Sequence, residues 1–512
     1  MTLKQCRRNV EQLSRRSCRF MNLDTFAGHL KLSDNCRKVL TLFVYPLMAV
    51  FSLCLVFFYY CAFKANAIGL PGLLLSVLPL IVCLFVGVLL LIKEQHNPAT
   101  CFVVIGVPAV TAFGLFMLPA NVPDEASHIW QAAALLSRNS NGFDVISCFQ
   151  VGQFPSSYAD YFNAMTQHTD WSSVFVCHTY LGSYYPHLYF IPGVILGFAQ
   201  QMGFNAFVAL SVSRVCAGLV YCFAAYWIIK LMPVGKNAVL IFLLNPILLQ
   251  QEASVSADSV ANIVAILYVA VVVKVYADSL YSYRSLLALI LLSVLLLLSK
   301  IMFFPLVLLN LIHWKILKGK DSYAKFICSF FGIALVAGCA FVYLYHGSFM
   351  PDSFDLMRAP LHCTKVFIKS IWEMGPFWFQ SYAGYNLGAL SINVWPFCFW
   401  LYIIVQSVVL FYNDENNEKL FCCTDRFAII TVVFVNFFLI VMTMRNWTLT
   451  VDKREDIIMG VQGRYLFPLV LPVLLNILRP IKSSSEGHVL LGSSLIMSTI
   501  LLVDFISILS AF

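Results

Sequence analysis

The chain has 512 residues, 60% of them hydrophobic and only 11% charged. A soluble domain is about one quarter charged, so a soluble multidomain protein is excluded and a polytopic membrane protein is indicated. The net charge of +8 is unevenly placed: residues 1–38 hold nine Lys/Arg (Lys4, Arg7, Arg8, Arg15, Arg16, Arg19, Lys31, Arg37, Lys38) against three acids, a surplus of +6. The rest of the chain is close to neutral, which argues against nucleic-acid binding.

In chain order, residues 1–38 form a basic tail of the kind that marks the cytoplasmic side. The tail is too long and too broken by charge for a signal peptide, and the apolar run after it reads as a retained anchor. Runs long enough to cross a bilayer lie near 39–63, 69–92, 101–119, 206–230, 258–278, 326–346, 391–412, 427–444 and 488–511. Shorter candidates lie near 237–252, 285–299, 301–318 and 464–479. The run 184–202 is interrupted by Pro186, His187 and Pro192 and reads as re-entrant or interfacial.

That reading gives about 13 spans, in a range of roughly 11–14. It puts the connectors around Lys230/Lys236, Arg284, Lys315–Lys325, Lys419/Arg426 and Arg479/Lys482 with the tail inside, as the positive-inside rule asks. The 120–183 loop then lies outside, with one Arg (Arg138) and five acids. No Walker A sequence, no G-x-G-x-x-G and no internal repeat is visible, so nucleotide chemistry has no support and an inverted-repeat transporter is weakened. Of the 17 Cys, most lie in apolar runs (Cys54, Cys61, Cys83, Cys216, Cys222) and behave as small hydrophobes. Cys148 and Cys177 share the first external loop, where a disulfide would suit an oxidising compartment.

Chemistry is concentrated in a few charges. Asn-Val-Pro-Asp-Glu-Ala-Ser-His at 121–128 follows the third run. Pro123, Asp124 and Glu125 suit a helix N-terminus, and His128 lies three and four residues beyond the acids, within reach of both. A carboxylate beside a histidine suits a general base or a pair of metal ligands. Capping alone accounts for the acids but not for His128. Ser254–Ser259 places Asp258, preceded by Glu252, at the start of another run, where a plain N-cap is the simpler reading. Arg214, Lys300, Arg445, Lys453, Arg454 and Arg464 are cations expected on the outer side, against the usual trend. Arg is well shaped to hold phosphate, although any one of these residues also suits an interfacial anchor, and Lys300 a tight turn. Tyr180, Tyr184, Tyr185 and Tyr189 suit an aromatic belt or a sugar-stacking surface. Asp504, alone in the last run, is either a functional intramembrane acid or one buried by a hydrogen bond.

Taken in order, P-D-E-x-x-H (123–128), Y-x-P-H-L-Y (184–189), N-P-I-L-L-Q-Q-x-x-S-V-S-A-D-S (245–259), L-S-K-I-M-F-F-P (298–305) and V-Q-G-R-Y-L-F-P-L (461–469) resemble a bacterial integral-membrane family of unknown function. That family, typified by a P-D-E-x-x-H loop, is itself related to the GT-C superfamily of glycosyltransferases. The resemblance covers about residues 100–480 and implies an all-α, GT-C-like bundle with interfacial helices in its large first external loop. It divides the chain into a basic tail (1–38), an extra transmembrane hairpin (39–100), a catalytic module (101–480, with external loops near 120–205, 347–390 and 445–463) and a C-terminal helix (481–512). Many GT-C enzymes have one span before the acidic loop, whereas this chain has three.

The activity implied is inverting sugar transfer from a polyprenyl-phosphate donor to a polysaccharide or glycolipid acceptor, on the extracytoplasmic face of a bacterial inner membrane. By that resemblance Asp124, Glu125, His128 and Asp258 are catalytic, while Lys300, Arg464 and Arg214 hold the donor phosphate. No obligatory cofactor is implied, and a divalent metal stays open. The rivals are a lipid-linked saccharide flippase and, more distantly, a metal-dependent hydrolase built on Glu125 and His128.

Overall fold

The computed structural model describes residues 33–134, 154–168, 185–279, 282–316, 326–327, 360–411, 421–478 and 486–512. These are almost wholly helical, with one two-stranded antiparallel hairpin pairing Asn386 with Asn393 and Leu387 with Ile392.

Three helices open the bundle: α1 (Asp34–Lys64), α2 (Leu70–Lys93) and α3 (Pro98–Phe116). Their apolar windows are 33%, 28% and 89% buried respectively, so α3 is the central post while α1 and α2 present apolar side chains outward. Pro98 opens α3 at a position where no amide is needed, and Asn97 accepts from the Thr100 amide at 3.4 Å. Helix α3 packs along α7 (Ala206–Leu231), because small residues let the two backbones approach. A Cβ on Gly218 would stand 2.8 Å from Val110 Cβ, and one on Gly114 3.2 Å from the Val215 amide nitrogen.

Between α3 and α7 the described parts of the long connector fold as α4 (Glu125–Ala134), α5 (Tyr158–Thr166) and a short 3-10 turn leading into α6 (Phe190–Gln201). Tyr158 Oη donates to the Phe116 carbonyl at 2.9 Å, and the hydroxyls of Tyr161 and Ser211 lie 2.6 Å apart, so α5 is fastened to the bundle. At 12 residues, α6 is about 18 Å long, too short to cross a core of about 30 Å. The interrupted run 184–202 is therefore a short helix, as its prolines suggest. Residues Cys148 and Cys177 lie outside the described set.

The run 237–252 departs from the sequence reading. It is two short helices, α8 (Lys236–Leu243) and α9 (Pro246–Glu252), broken at Asn245. The proline supplies no amide to continue the first helix, and the Asn245 side chain instead caps the second through the amides of Ile247 and Leu248. Next come α10 (Ala257–Asp278), α11 (Tyr283–Ser299) and a 3-10 segment over Ile301–Ile316. Beyond the undescribed stretch lie α12 (Pro360–Tyr382), the hairpin, α13 (Pro396–Val409), α14 (Cys423–Trp447), a 3-10 turn at Gly463–Leu466, α15 (Phe467–Ile477) and α16 (Glu486–Ala511).

Among the described residues, seven helices are long and apolar enough to cross a membrane, and four shorter apolar ones accompany them. The run 326–346 lies outside the described residues except for its first two. Asp504, in α16, is fully buried, and neither carboxylate oxygen has a hydrogen-bond partner among the described residues.

Candidate functional site

The polar centre assembles where four breaks in the helical framework meet: the 120–125 turn, the α9–α10 junction, the end of α11 and the 3-10 turn before α15. Each break exists for a local reason. Asp124 has φ +64° and Ala120 φ +65°, left-handed conformations that reverse the chain between α3 and α4. An L-residue there costs about 1–2 kcal/mol, least for Asp and Asn. At the α9–α10 junction Ser256 is the N-cap, its hydroxyl accepting from the Asp258 amide at 3.1 Å. The cap position is therefore Ser256, and the Asp258 side chain is left for other partners. Lys300 terminates α11, its amide still bonded to the Leu296 carbonyl at 3.2 Å. Gly463 permits a very close approach: a Cβ there would lie 2.1 Å from the Tyr382 nitrogen, and its amide donates to Ser381 Oγ at 2.9 Å. No residue with a side chain fits, and Arg464 is aimed by that contact.

The side chains converge. Asp258 is ion-paired to Lys300, and its other oxygen lies 3.6 Å from Arg464 Nε. Arg464 Nη2 pairs with Asp124, and Nη1 donates to the Pro123 carbonyl at 2.7 Å. Tyr465 joins the two cations: Lys300 Nζ sits 5.1 Å from its ring centroid, the Arg464 guanidinium 4.9 Å, and Arg464 Nη2 donates to its hydroxyl at 3.0 Å. Lys300, Asp258 and Arg464 are buried, whereas the Asp124 side chain is 58% exposed and forms the open side of the cluster.

His128 borders the same group. Its Nδ1 is 2.6 Å from the hydroxyl of buried Tyr189. Burial pushes the imidazole pKa down to about 4; Asp258 opposes that shift, Lys300 reinforces it, and Asp124 and Arg464 act more weakly in opposite senses. His128 is therefore neutral at physiological pH.

Glu125 and Arg214 are placed differently from the other site residues read from the sequence. Both side chains are 0% exposed, with Arg214 Nε 3.0 Å from Glu125 Oε1. The two Glu125 oxygens accept from the amides of Val255 (3.1 Å) and Ala120 (3.0 Å), and Arg214 Nη1 donates to the Met117 carbonyl at 2.5 Å. Burial raises the Glu125 pKa, while Arg214 and then the Val255, Ala120 and Val122 amides pull it down. The charged form is favoured, since a protonated Glu125 would leave Arg214 as a lone buried cation. The pair clamps the 120–125 turn to α7 and to the α9–α10 junction; no open face is left for a phosphate or a metal.

Arg445 also lies apart from the cluster, donating to the Glu455 carbonyl at 3.1 Å, and Lys453 and Arg454 are exposed near it. Glu252 is fully buried and accepts from Asn262 Nδ2 at 3.3 Å. Among the described residues no three of His, Cys, Asp and Glu converge in a metal-holding group. The carboxylates of Asp124 and Asp258 face cations, so this arrangement does not fit a divalent ion. Residues that the sequence does not single out for the site are Tyr465 and the Pro123 carbonyl. The glycines of G-V-Q-G-R-Y suit close approach of backbone to a ligand, and Gly463 instead approaches the Tyr382 backbone. Tyr189 was read within an aromatic belt or sugar surface, and its hydroxyl instead meets His128.

A family model described as "Predicted membrane protein (DUF2142)" matches residues 110–473, well over half of the chain, and the chain belongs to that family. No curated protein and no solved structure gives a significant match.

Proposed function

We propose that this DUF2142 member is an inverting glycosyltransferase of GT-C type that takes its sugar from a polyprenyl phosphate and works on the extracytoplasmic face. The observation that carries the reading is the convergence of Lys300, Arg464, Asp258 and Asp124 from four separate chain segments onto one partly open spot. Two cations and two carboxylates make the group neutral overall. Asp258 is buried between both cations and stays; Asp124, on a strained turn at the open side, is the exchangeable counter-ion. An incoming phosphate would take the Nη2 face of Arg464 and free the Asp124 carboxylate beside it.

The chemistry then balances. The acceptor hydroxyl oxygen bonds to the anomeric carbon and its proton passes to Asp124. The bond from the anomeric carbon to the phosphate oxygen breaks, and polyprenyl phosphate leaves with that electron pair, stabilised by Arg464 and Lys300. One displacement inverts the anomeric centre. Neutral His128, oriented by Tyr189, is suited to hydrogen-bond a sugar hydroxyl rather than to carry charge. Glu125 and Arg214 hold the scaffold.

The rival reading, a flippase for lipid-linked saccharides, uses the same cations without making a bond. Purified protein in detergent, given a polyprenyl-phosphate sugar and a glycan acceptor, separates the two. Formation of a glycosidic product without any membrane gradient is expected; donor binding with no product across a panel of sugars and acceptors would leave only transport.

A further inference from the structure

Helix α12 lies outside the catalytic reading, yet its surface is divided into three faces. Cys363, Val366, Phe367, Ser370, Trp378 and Ser381 are buried against the protein. Leu361, Ile368, Trp372 and Phe379 are exposed and follow one another at seven, four and seven residues, a single line along a helix. Beside it His362, Lys369, Glu373 and Gln380 form a second exposed line with the same spacing, wholly polar. Trp372 is 85% and Leu361 80% exposed, far more than a soluble helix leaves to water without a reason.

We propose that α12 docks in the interface of the lipid bilayer, with the Leu361–Phe379 line in the acyl boundary and the His362–Gln380 line in water. Three observations select lipid as the occupant. A helix bounded by protein, apolar and polar faces fits an element lying in the headgroup plane. The apolar line continues into exposed Trp395, Phe397 and Trp400 at the start of α13, with Phe379 and Phe399 rings 5.7 Å apart, and Trp is the residue that favours this level. Lys365, exposed on the same helix, has the long stem that lets an ammonium snorkel to headgroups.

The docking has a consequence for the site. The buried face of α12 carries the segment that ends in Arg464, since Ser370 Oγ accepts from the Ile458 amide at 2.8 Å and Ser381 Oγ from the Gly463 amide. On the exposed polar line Lys369 pairs with Asp456 of the same segment. A helix seated at the headgroups thereby fixes the depth of Arg464 relative to the bilayer. The inference stands whether or not the chain transfers a sugar.

It is tested with the full chain in phosphatidylcholine nanodiscs containing a lipid with a diazirine in its acyl chain, alongside hydroxyl-radical footprinting in water, both read by peptide mass spectrometry. Lipid adducts are expected on Leu361, Ile368, Trp372 and Phe379, with Trp372 oxidised several-fold more slowly than in the unfolded chain. Glu373 is expected to react with a water-soluble carbodiimide, and buried Trp378 with neither lipid nor radical. Rapid oxidation of Trp372 would overturn the proposal, and so would an apolar line protected from both reagents, since protein would then cover it.

Discussion

Asp124 and Glu125 are adjacent, each bears a carboxylate and each meets an arginine, yet their surroundings are opposite. Glu125 is 0% exposed and has a guanidinium and two backbone amides fixed around it. Asp124 is more than half exposed, sits on a left-handed turn and has Arg464 as its partner on an otherwise open side. Asp124 stands on the left-handed turn just before α4 and Glu125 opens the helix, so one carboxylate reaches the polar centre and its neighbour reaches Arg214 on α7. An acid sealed with every oxygen satisfied serves the fold; an acid at an open, strained edge is available for exchange.

The comparison is broken most forcefully at the sealed pair. Arg214→Met leaves Glu125 as an uncompensated buried carboxylate and is expected to cost about 3–5 kcal/mol of stability, seen as loss of folded, monodisperse protein. Replacing both partners together, Arg214→Met with Glu125→Leu, removes the stranded charge and is expected to recover most of the loss. A single variant as stable as the parent would show that the pair does not hold the turn.

His128 sharpens the boundary between the two regions, since it is buried but borders the open cluster. Its folded pKa, about 4, lies below the unfolded value of about 6.5. As pH falls the unfolded chain therefore takes up the proton first, and stability present in full above about pH 6.5 is lost toward pH 4. Between pH 7.5 and pH 4.5 the parent is expected to lose on the order of 2–3 kcal/mol more than His128→Gln, measured as the difference in melting-temperature drop. Equal drops would mean that the imidazole is solvated and charges freely.

Much of the site was legible because a chain this apolar has few charges among its apolar runs, and each one there demands a partner. Asp124 and Arg464 stood out that way, Asp258 and Lys300 entered through the family resemblance over a simpler N-cap and turn, and the structure brings the four together. The division of labour between Asp124 and Glu125 was not legible, because local spacing puts both at one helix start and only Arg214, 89 residues later (214 − 125), decides which is sealed. A signal for that was present: Arg214 lies within an apolar span, close to Gly218, where a cation has no water to turn to. Tyr465 and the Gly463 contact with Tyr382 depend on tertiary approach and leave no mark in spacing. In the fold, the long apolar runs among the described residues emerge as helices except 391–412, which starts in the strand Ile392–Asn393 and is helical only over Pro396–Val409. The shorter run 237–252 divides at Asn245–Pro246, a cap-and-proline pair whose punctuation outweighs its hydrophobicity.

The most direct test compares Asp124→Asn with Glu125→Gln in purified protein, measuring both sugar transfer from a polyprenyl-phosphate donor and thermal unfolding. Asn accepts the left-handed turn and Arg464 keeps Asp258 and the Pro123 carbonyl, so Asp124→Asn is expected to melt within about 1 kcal/mol of the parent while transfer falls by roughly 10²–10⁴-fold. Glu125→Gln is expected to unfold early, with transfer per folded molecule largely kept. Full transfer by Asp124→Asn, or a stably folded Glu125→Gln that transfers nothing, would contradict the account.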